Sequence, residues 1–328
     1  MKHKCQLAAV VLLIFFVFIT GCQERVPSNP KVALVLPLTG VLAPWGKACE
    51  QAVRLQLEGE KHFQLLVFDN RADPEETKRI FTLIVHKPDI VAAIGPLKCV
   101  CLQSALPIIR EEPLPTISPG CFQDFIKESK GWAIPLLSEL EEIKAIADFL
   151  NKRHLSWALF YENNGWGQSL SQLLQSMVKA SPSVSYMLHT ADISTLRPQL
   201  QEVKPKAIVI FLSPAKASLL ALQIKKIGLN SYILGPYCFL DSQFYAVLAP
   251  IADKVLITTP QLSSKQATFE KEFIKHYYTN PSWIATCAYA AMDAILKAPR
   301  FSRKAIKKDF KKRLSLRFNL LPVAKSQD

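Results

Sequence analysis

The sequence alternates short apolar runs with longer amphipathic stretches, and this rhythm limits the possible folds more than any single residue does. Runs at Val32–Pro37, Gln64–Asp69, Ile90–Ile94, Pro115–Ser118, Trp157–Tyr161, Ala207–Leu212, Ser231–Leu234 and Val255–Thr259 are four to six residues long and mostly aliphatic or aromatic. Such runs suit strands buried on both faces of a parallel sheet. Helical stretches separate most of them: Trp45–Leu57, Ser138–Lys152, Gly167–Lys179, Ala215–Ile227, Ala267–Tyr278 and Pro281–Ala298. A further helix start is written in Asp73-Pro74-Glu75-Glu76, with an N-cap, a proline at the first helical position and acids in the first turn. The alternation predicts a doubly wound α/β architecture with parallel sheets. It repeats too often for one compact sheet, so two lobes are expected, each with its own core. In open α/β sheets ligands bind beyond the carboxyl ends of the strands, so the residues just after each strand form the candidate site.

The first 21 residues are of another kind. Lys2, His3 and Lys4 precede an apolar run from Ala8 to Ile19, which closes on Thr20-Gly21-Cys22. That is the layout of a secretory signal. The small residue before Cys22 looks like the bacterial lipobox, which implies cleavage before Cys22 and acylation of its sulfur. The alternative is an uncleaved membrane anchor, but about 12 apolar residues fall short of the ~20 that a spanning helix needs. Several acyl chains would hold the mature chain to a membrane from outside the cytoplasm. Residues 22–30, with two prolines, read as a tether.

Apolar residues make up 49% and charged residues 20% of the chain, which is a globular composition. The formal net charge is +13, concentrated between Arg300 and Arg317, where nine basic residues face one acid, Asp309. Outside the cytoplasm nucleic acid is a poor partner for such a segment. Anionic headgroups, an acidic partner or a plain solvated helix face remain. Six cysteines follow Cys22: Cys49, Cys99, Cys101, Cys121, Cys238 and Cys287. An oxidising compartment permits disulfides without dictating the pairing. Cys99-Val100-Cys101 is not a usual zinc spacing, and no metal or other cofactor is expected. His62, His86, His154, His189 and His276 are scattered, and neither Gly-x-Ser-x-Gly nor His-Glu-x-x-His occurs. The sequence is not read as an enzyme.

Several short motifs together resemble type I periplasmic binding proteins of the branched-chain amino acid group. They are Pro37-Leu38-Thr39-Gly40, Leu42 to Ala48, Val67-Phe68-Asp69-Asn70, Asp73-Pro74, Ile94-Gly95-Pro96, Pro115 to Pro119, Asn164 to Gly167, Leu234-Gly235-Pro236, and Pro281-Ser282-Trp283 through Ala288-Tyr289. The resemblance implies two Rossmann-like lobes with a ligand cleft between them. It assigns residues 31–137 and 261–297 to lobe one and 138–260 to lobe two, leaving 298–328 as a basic C-terminal segment. Relatives end in further strands, so the final hinge strand is expected to be missing or altered here.

Amino-acid binders of this group hold the ligand carboxylate on lobe one with backbone amides and a hydroxyl, and the ammonium with an acid on lobe two. Here the expected polar contacts are replaced. Cys99 lies where relatives have serines, Phe122 where a hydroxyl is expected, Tyr237 where the ammonium-binding glutamate belongs, and Ala290 where an aspartate often follows. Trp45 and Trp166 match aromatic cleft positions, while Ser118, Gly120 and Cys121 still offer backbone amides and Lys98 a positive charge. The implied cleft is aromatic and thiol-rich, without an acid to receive an ammonium; an apolar or anionic ligand suits it better than a free amino acid. The same rings also suit simple lobe packing or a closed, vacant cleft. Cys99 or Cys101 is expected to bridge to Cys121. Two functions follow from the resemblance. One is a lipid-anchored binding component of an ABC importer, with a small-molecule ligand and a permease partner. The other is a binding-protein fold reused as an envelope interaction lipoprotein, such as an activator of peptidoglycan synthases.

Overall fold

A computed structural model describes residues 26–121, 129–136, 139–239, 254–261, 266–313 and 317–322. Cys22 and Phe122 lie outside them. The first sheet has five parallel strands in the order β2-β1-β3-β4-β5, namely β1 (Lys31–Leu36), β2 (Gln64–Asp69), β3 (Ile90–Ile94), β4 (Thr116–Ser118) and β5 (Ala133–Pro135). The second has six strands in the order β11-β10-β9-β8-β6-β7: β6 (Trp157–Glu162), β7 (Val184–Leu188), β8 (Ala207–Phe211), β9 (Tyr232–Gly235), β10 (Val255–Gln261) and β11 (Arg317–Pro322). The fold class is the expected one: two doubly wound α/β lobes.

The period-two geometry of a strand explains both cores. On β1, Val32, Leu34 and Leu36 point to one face, where they meet α1 (Ala43–Gln56) and α9 (Trp283–Leu296) through Cys49, Val53, Cys287, Ala291 and Ile295. Ala33 and Val35 point to the other face, against α2 (Pro74–Ile84) and α3 (Cys99–Glu111). In the second sheet Phe160, Ile208 and Ile210 meet α7 (Pro214–Lys226), whereas Trp157, Leu159 and Phe211 meet α4 (Glu139–Arg153) and α5 (Gly165–Met177). Short α6 (Arg197–Val203) completes that lobe, and α8 (Gln266–Tyr277) joins α1 through Phe269 and Phe273. The caps follow the sequence signals. Asp73 accepts from the Glu76 amide at 2.7 Å, and Asn164 from the Gly167 amide at 2.8 Å.

Three features depart from the sequence reading. The helix α3, which starts at Cys99, is absent from the expected helical stretches; Pro107 inside it interrupts the helical signal. The final strand is present: β11 pairs antiparallel with β10, from Leu256 opposite Pro322 to Gln261 opposite Arg317. The basic segment forms the helix it was read as, α10 (Arg303–Arg313), but this helix docks on the first lobe and is not a plain solvated one. Arg303 donates to the carbonyls of Ile90 (3.0 Å), Val85 (2.9 Å), Pro113 (3.0 Å) and Lys87 (2.8 Å). Ile306 is fully buried, and Lys307 donates to the Lys130 carbonyl at 2.8 Å with its ammonium 4.0 Å from the centre of the Trp132 ring.

Candidate functional site

The loops after the parallel strands of the first sheet make one wall of the site. After β1 the chain turns through Gly40, at φ +77°, into α1. Gly46 presses on this turn so closely that a Cβ would lie 2.0 Å from the Pro37 carbonyl oxygen. Asp69, closing β2, accepts from the amides of Leu38 (2.8 Å) and Arg71 (2.9 Å) and from the Thr39 hydroxyl (2.6 Å), tying the first two loops together. Burial pushes this carboxyl up, but the combined hydrogen bonds prevail and hold it below its ordinary value. Ser118, at the end of β4, is fully buried and donates to the Pro96 carbonyl at 2.6 Å. Cys99 and Cys121 form a disulfide across the next loop, with Cα atoms 4.9 Å apart. Gly120 lies between them and α9: a Cβ there would sit 2.7 Å from the Leu97 carbonyl oxygen and 3.2 Å from Ile284 Cδ1.

The opposing wall is built with charge. Glu162, ending β6, receives the Lys216 ammonium and, at 3.2 Å, the Ser213 amide. The loop after β9 carries Tyr237, only 8% exposed, whose ring packs into the core of the first lobe and meets Trp283 edge-on at 4.5 Å. Its amide donates at 2.7 Å to Glu142, a side chain just 1% exposed in the first turn of α4, which also accepts the Thr258 hydroxyl at 2.5 Å. Burial pushes Glu142 up to about 7; the two donors pull it down and Glu139 pushes it further up. Burial likewise raises the Tyr237 phenol well above its usual range, with smaller contributions from Cys238 and Glu142.

The candidates expected from sequence thus fall into two groups. Cys99, Ser118, Gly120 and Cys121 come together on the first wall. Tyr237 reaches them from the second lobe through Trp283 and Ile284. Trp45 is 38% exposed at the start of α1, and Trp166 is half-buried at the start of α5 among the residues of its own lobe. The expectation of a thiol-rich cleft holds only in part. Cys99 and Cys101 are in the first turn of α3, Cys101 is buried and unbridged, and Cys238 lies half-buried between the two cores. Burial raises the Cys49 and Cys287 thiols, fully enclosed beneath α9.

A model of the periplasmic binding protein family matches residues 30–314. The chain belongs to the periplasmic binding protein family. Solved structures repeat the type I fold of this binding protein. The isoleucine complex of a branched-chain amino acid transporter substrate-binding protein from Streptococcus pneumoniae is 18% identical, with a TM-score of 0.69, covering 87% of this chain and 88% of that one. A leucine-binding protein from Thermotoga maritima is 19% identical at TM-score 0.68, covering 86% and 87%. A solute-binding protein of an ABC transporter from R. palustris, solved with benzoate, is 18% identical at TM-score 0.66, covering 88% and 85%. At these identities the likeness is one of fold. No curated protein matches the sequence.

Sequence reasoning about this binding protein missed Glu142. Acids at 139, 141 and 142 read as ordinary complements to a helix dipole. A signal was nonetheless present: position 142 shares its helical stripe with Ile146 and Leu150, both buried. A carboxylate on an apolar stripe needs hydrogen-bond partners, and here Tyr237 and Thr258 supply them.

Proposed function

We propose that this periplasmic binding protein is a lipid-anchored, extracytoplasmic solute-binding component of an ABC importer. Its ligand is an apolar or anionic small molecule rather than a free amino acid, delivered to a membrane permease after lobe closure. One observation carries the ligand class. Asp69, Glu142 and Glu162, the acids that shape the two walls, each accept donors of the protein itself. An ammonium taken from water needs a matched charge in the cleft, and releasing any of these acids would break contacts that hold a wall in place. The benzoate complex among the similar folds is consistent with a ligand that has an aromatic body and no ammonium. Trp45, Cys99, Ser118, Gly120 and Cys121 would line the site from lobe one, and Trp166 and Tyr237 from lobe two. We assign residues 31–137 and 261–297 to lobe one and 138–260 to lobe two; α10 then adds to the first and β11 to the second.

Intrinsic tryptophan fluorescence and melting temperature, followed against aromatic carboxylates, nucleosides, short peptides and branched-chain amino acids, test this reading. A saturable response to an aromatic carboxylate and none to leucine or isoleucine is the expected result. A response to leucine would overturn the ligand class. Silence across the set would favour a second reading, an envelope interaction lipoprotein of the peptidoglycan-synthase-activator kind. The burial of Tyr237 in the core of the opposite lobe supports that alternative, because the lobes are joined there by the protein's own side chain.

A further inference from the structure

We propose that α10 is a docking surface for anionic phospholipid headgroups and holds the tethered protein against the membrane by the pole of lobe one opposite the cleft. This rests on the anchored reading above. The decisive juxtaposition is between the root of the tether and the root of the helix. The chain enters the fold at Lys31, whose amide donates to the Asp89 carbonyl at 2.7 Å. Lys31 is paired in the sheet with Ile90, and Ile90 offers its carbonyl to Arg303 at 3.0 Å. From there α10 runs along the amino edge of the sheet to Lys130 and Trp132, just before β5. The helix therefore covers the same end of lobe one from which the tether leaves.

Charge and reach identify the occupant. Between Arg300 and Arg313 there are eight basic residues and one acid. Arg303 and Lys307 serve to dock the helix on backbone carbonyls, while the Lys304 and Lys308 side chains are exposed, as is Lys87 beside the helix root. The acids near this edge are Asp89, paired with Lys31 at 2.7 Å, Glu58 and Glu60 before β2, Glu111 and Glu112 before Pro113, and Asp309 on the helix. Against them stand the eight basic residues of the helix segment with Lys61, Lys87 and Lys130, so the balance stays positive. Nine residues from Cys22 to Pro30 span at most roughly 30 Å, which keeps this end close to the acylated surface. Lysines brought within about 8 Å of an anionic bilayer are attracted to it, and several act together. The candidate site lies at the carboxyl edge of the same sheet, so lipid docking leaves it unobstructed.

The test uses the full mature chain with Cys22→Ser, exported behind a cleavable signal, so that no acyl chain contributes. Sedimentation with vesicles of 70% phosphatidylcholine and 30% phosphatidylglycerol is compared with phosphatidylcholine alone at 50 and 300 mM salt. Binding only to the anionic vesicles, lost at high salt and reduced roughly tenfold or more in K304Q/K308Q, is expected. An unchanged melting temperature verifies that the variant is folded. Absence of binding at 50 mM salt, equal binding by parent and variant, or capture of an acidic envelope protein by this helix without lipid binding would each overturn the proposal. N-terminal acylation is read separately, from the mass of the wild-type N-terminal peptide, so the anchor and the docking surface stand or fall independently.

Discussion

On lobe one the loops that follow the strands are held by steric closeness, by the hydrogen bonds of Asp69 and by a covalent bridge, whereas on lobe two the loop after β9 hangs on a single buried carboxyl. Gly46, Gly120 and the Cys99–Cys121 disulfide leave the first wall little freedom, and none of these depends on protonation. The second wall is also closely packed, a Cβ at Gly167 falling 2.4 Å from the Glu162 carbonyl oxygen, but it adds the Glu162–Lys216 pair and, beneath Tyr237, Glu142. The same βα unit can thus present a wall of constant strength or one whose strength follows pH, according to whether a carboxyl that titrates near neutrality holds one of its turns. Under the lobe closure proposed above, this places the adjustable element on lobe two, at the loop that enters lobe one.

The most damaging single change should fall on the rigid wall. Gly95 lies at φ +107°, and a Cβ there would stand 2.0 Å from the Val35 carbonyl oxygen. Gly95→Ala is expected to cost about 4 kcal/mol in denaturant unfolding, because backbone and not a flexible side chain must give way. A cost below about 1 kcal/mol would show that this wall is softer than its geometry indicates. On the other side, Tyr237→Ala removes a ring from the core of lobe one and should cost about 3 kcal/mol. A double-mutant cycle with Trp283→Ala should reveal a coupling of about 1 kcal/mol between the two rings. Zero coupling would mean that the interlobe contact contributes no stability of its own.

Removing the covalent staple comes next. Cys99 and Cys121 are 22 residues apart, and closing a loop of that size stabilises by about 3 kcal/mol in the chain-entropy treatment. The double serine variant should lose 2–3 kcal/mol, equally at pH 5 and pH 8. Denatured protein, counted from Gln23 onward, should show four reactive thiols without reductant and six with it. Six in both conditions would remove the bridge.

How far the sequence discloses this contrast depends on the kind of force. Both lobes were legible, because Val32, Leu34 and Leu36 belong to unbroken apolar runs that only a doubly covered strand can use. A bridge from the Cys99-Val100-Cys101 pair to Cys121 was also legible, although which of the two cysteines forms it depended on α3, hidden by Pro107. Val184–Leu188 and Arg317–Pro322 escaped because edge strands carry weaker apolar patterns. The charge that holds lobe two was invisible for a different reason. Glu142 meets Tyr237 across 95 residues and Thr258 across 116, and neither separation leaves a local mark. Arg303 similarly reads as one more cation in a basic run, until four backbone carbonyls are seen to converge on it.

The effect that varies with pH distinguishes the walls most sharply. A glutamate ordinarily titrates near 4.5, and burial pushes Glu142 up to about 7. Between those values the folded protein retains a proton that the unfolded chain has released, so folding stability falls as pH rises through this window. The contribution is complete below about 4.5 and is lost once pH passes 7, amounting to about 3 kcal/mol over the whole window. Glu142→Gln retains an oxygen acceptor for Tyr237 and Thr258 but cannot ionise. Its margin over the parent should widen by about 2.5 kcal/mol between pH 5 and pH 8, measured as denaturant midpoints across the pH range. The serine variant of the disulfide should instead run parallel to the parent at every pH. If Glu142→Gln also ran parallel, ionisation of this carboxyl would not weaken the hold on Tyr237, and the second wall would be as indifferent to pH as the disulfide.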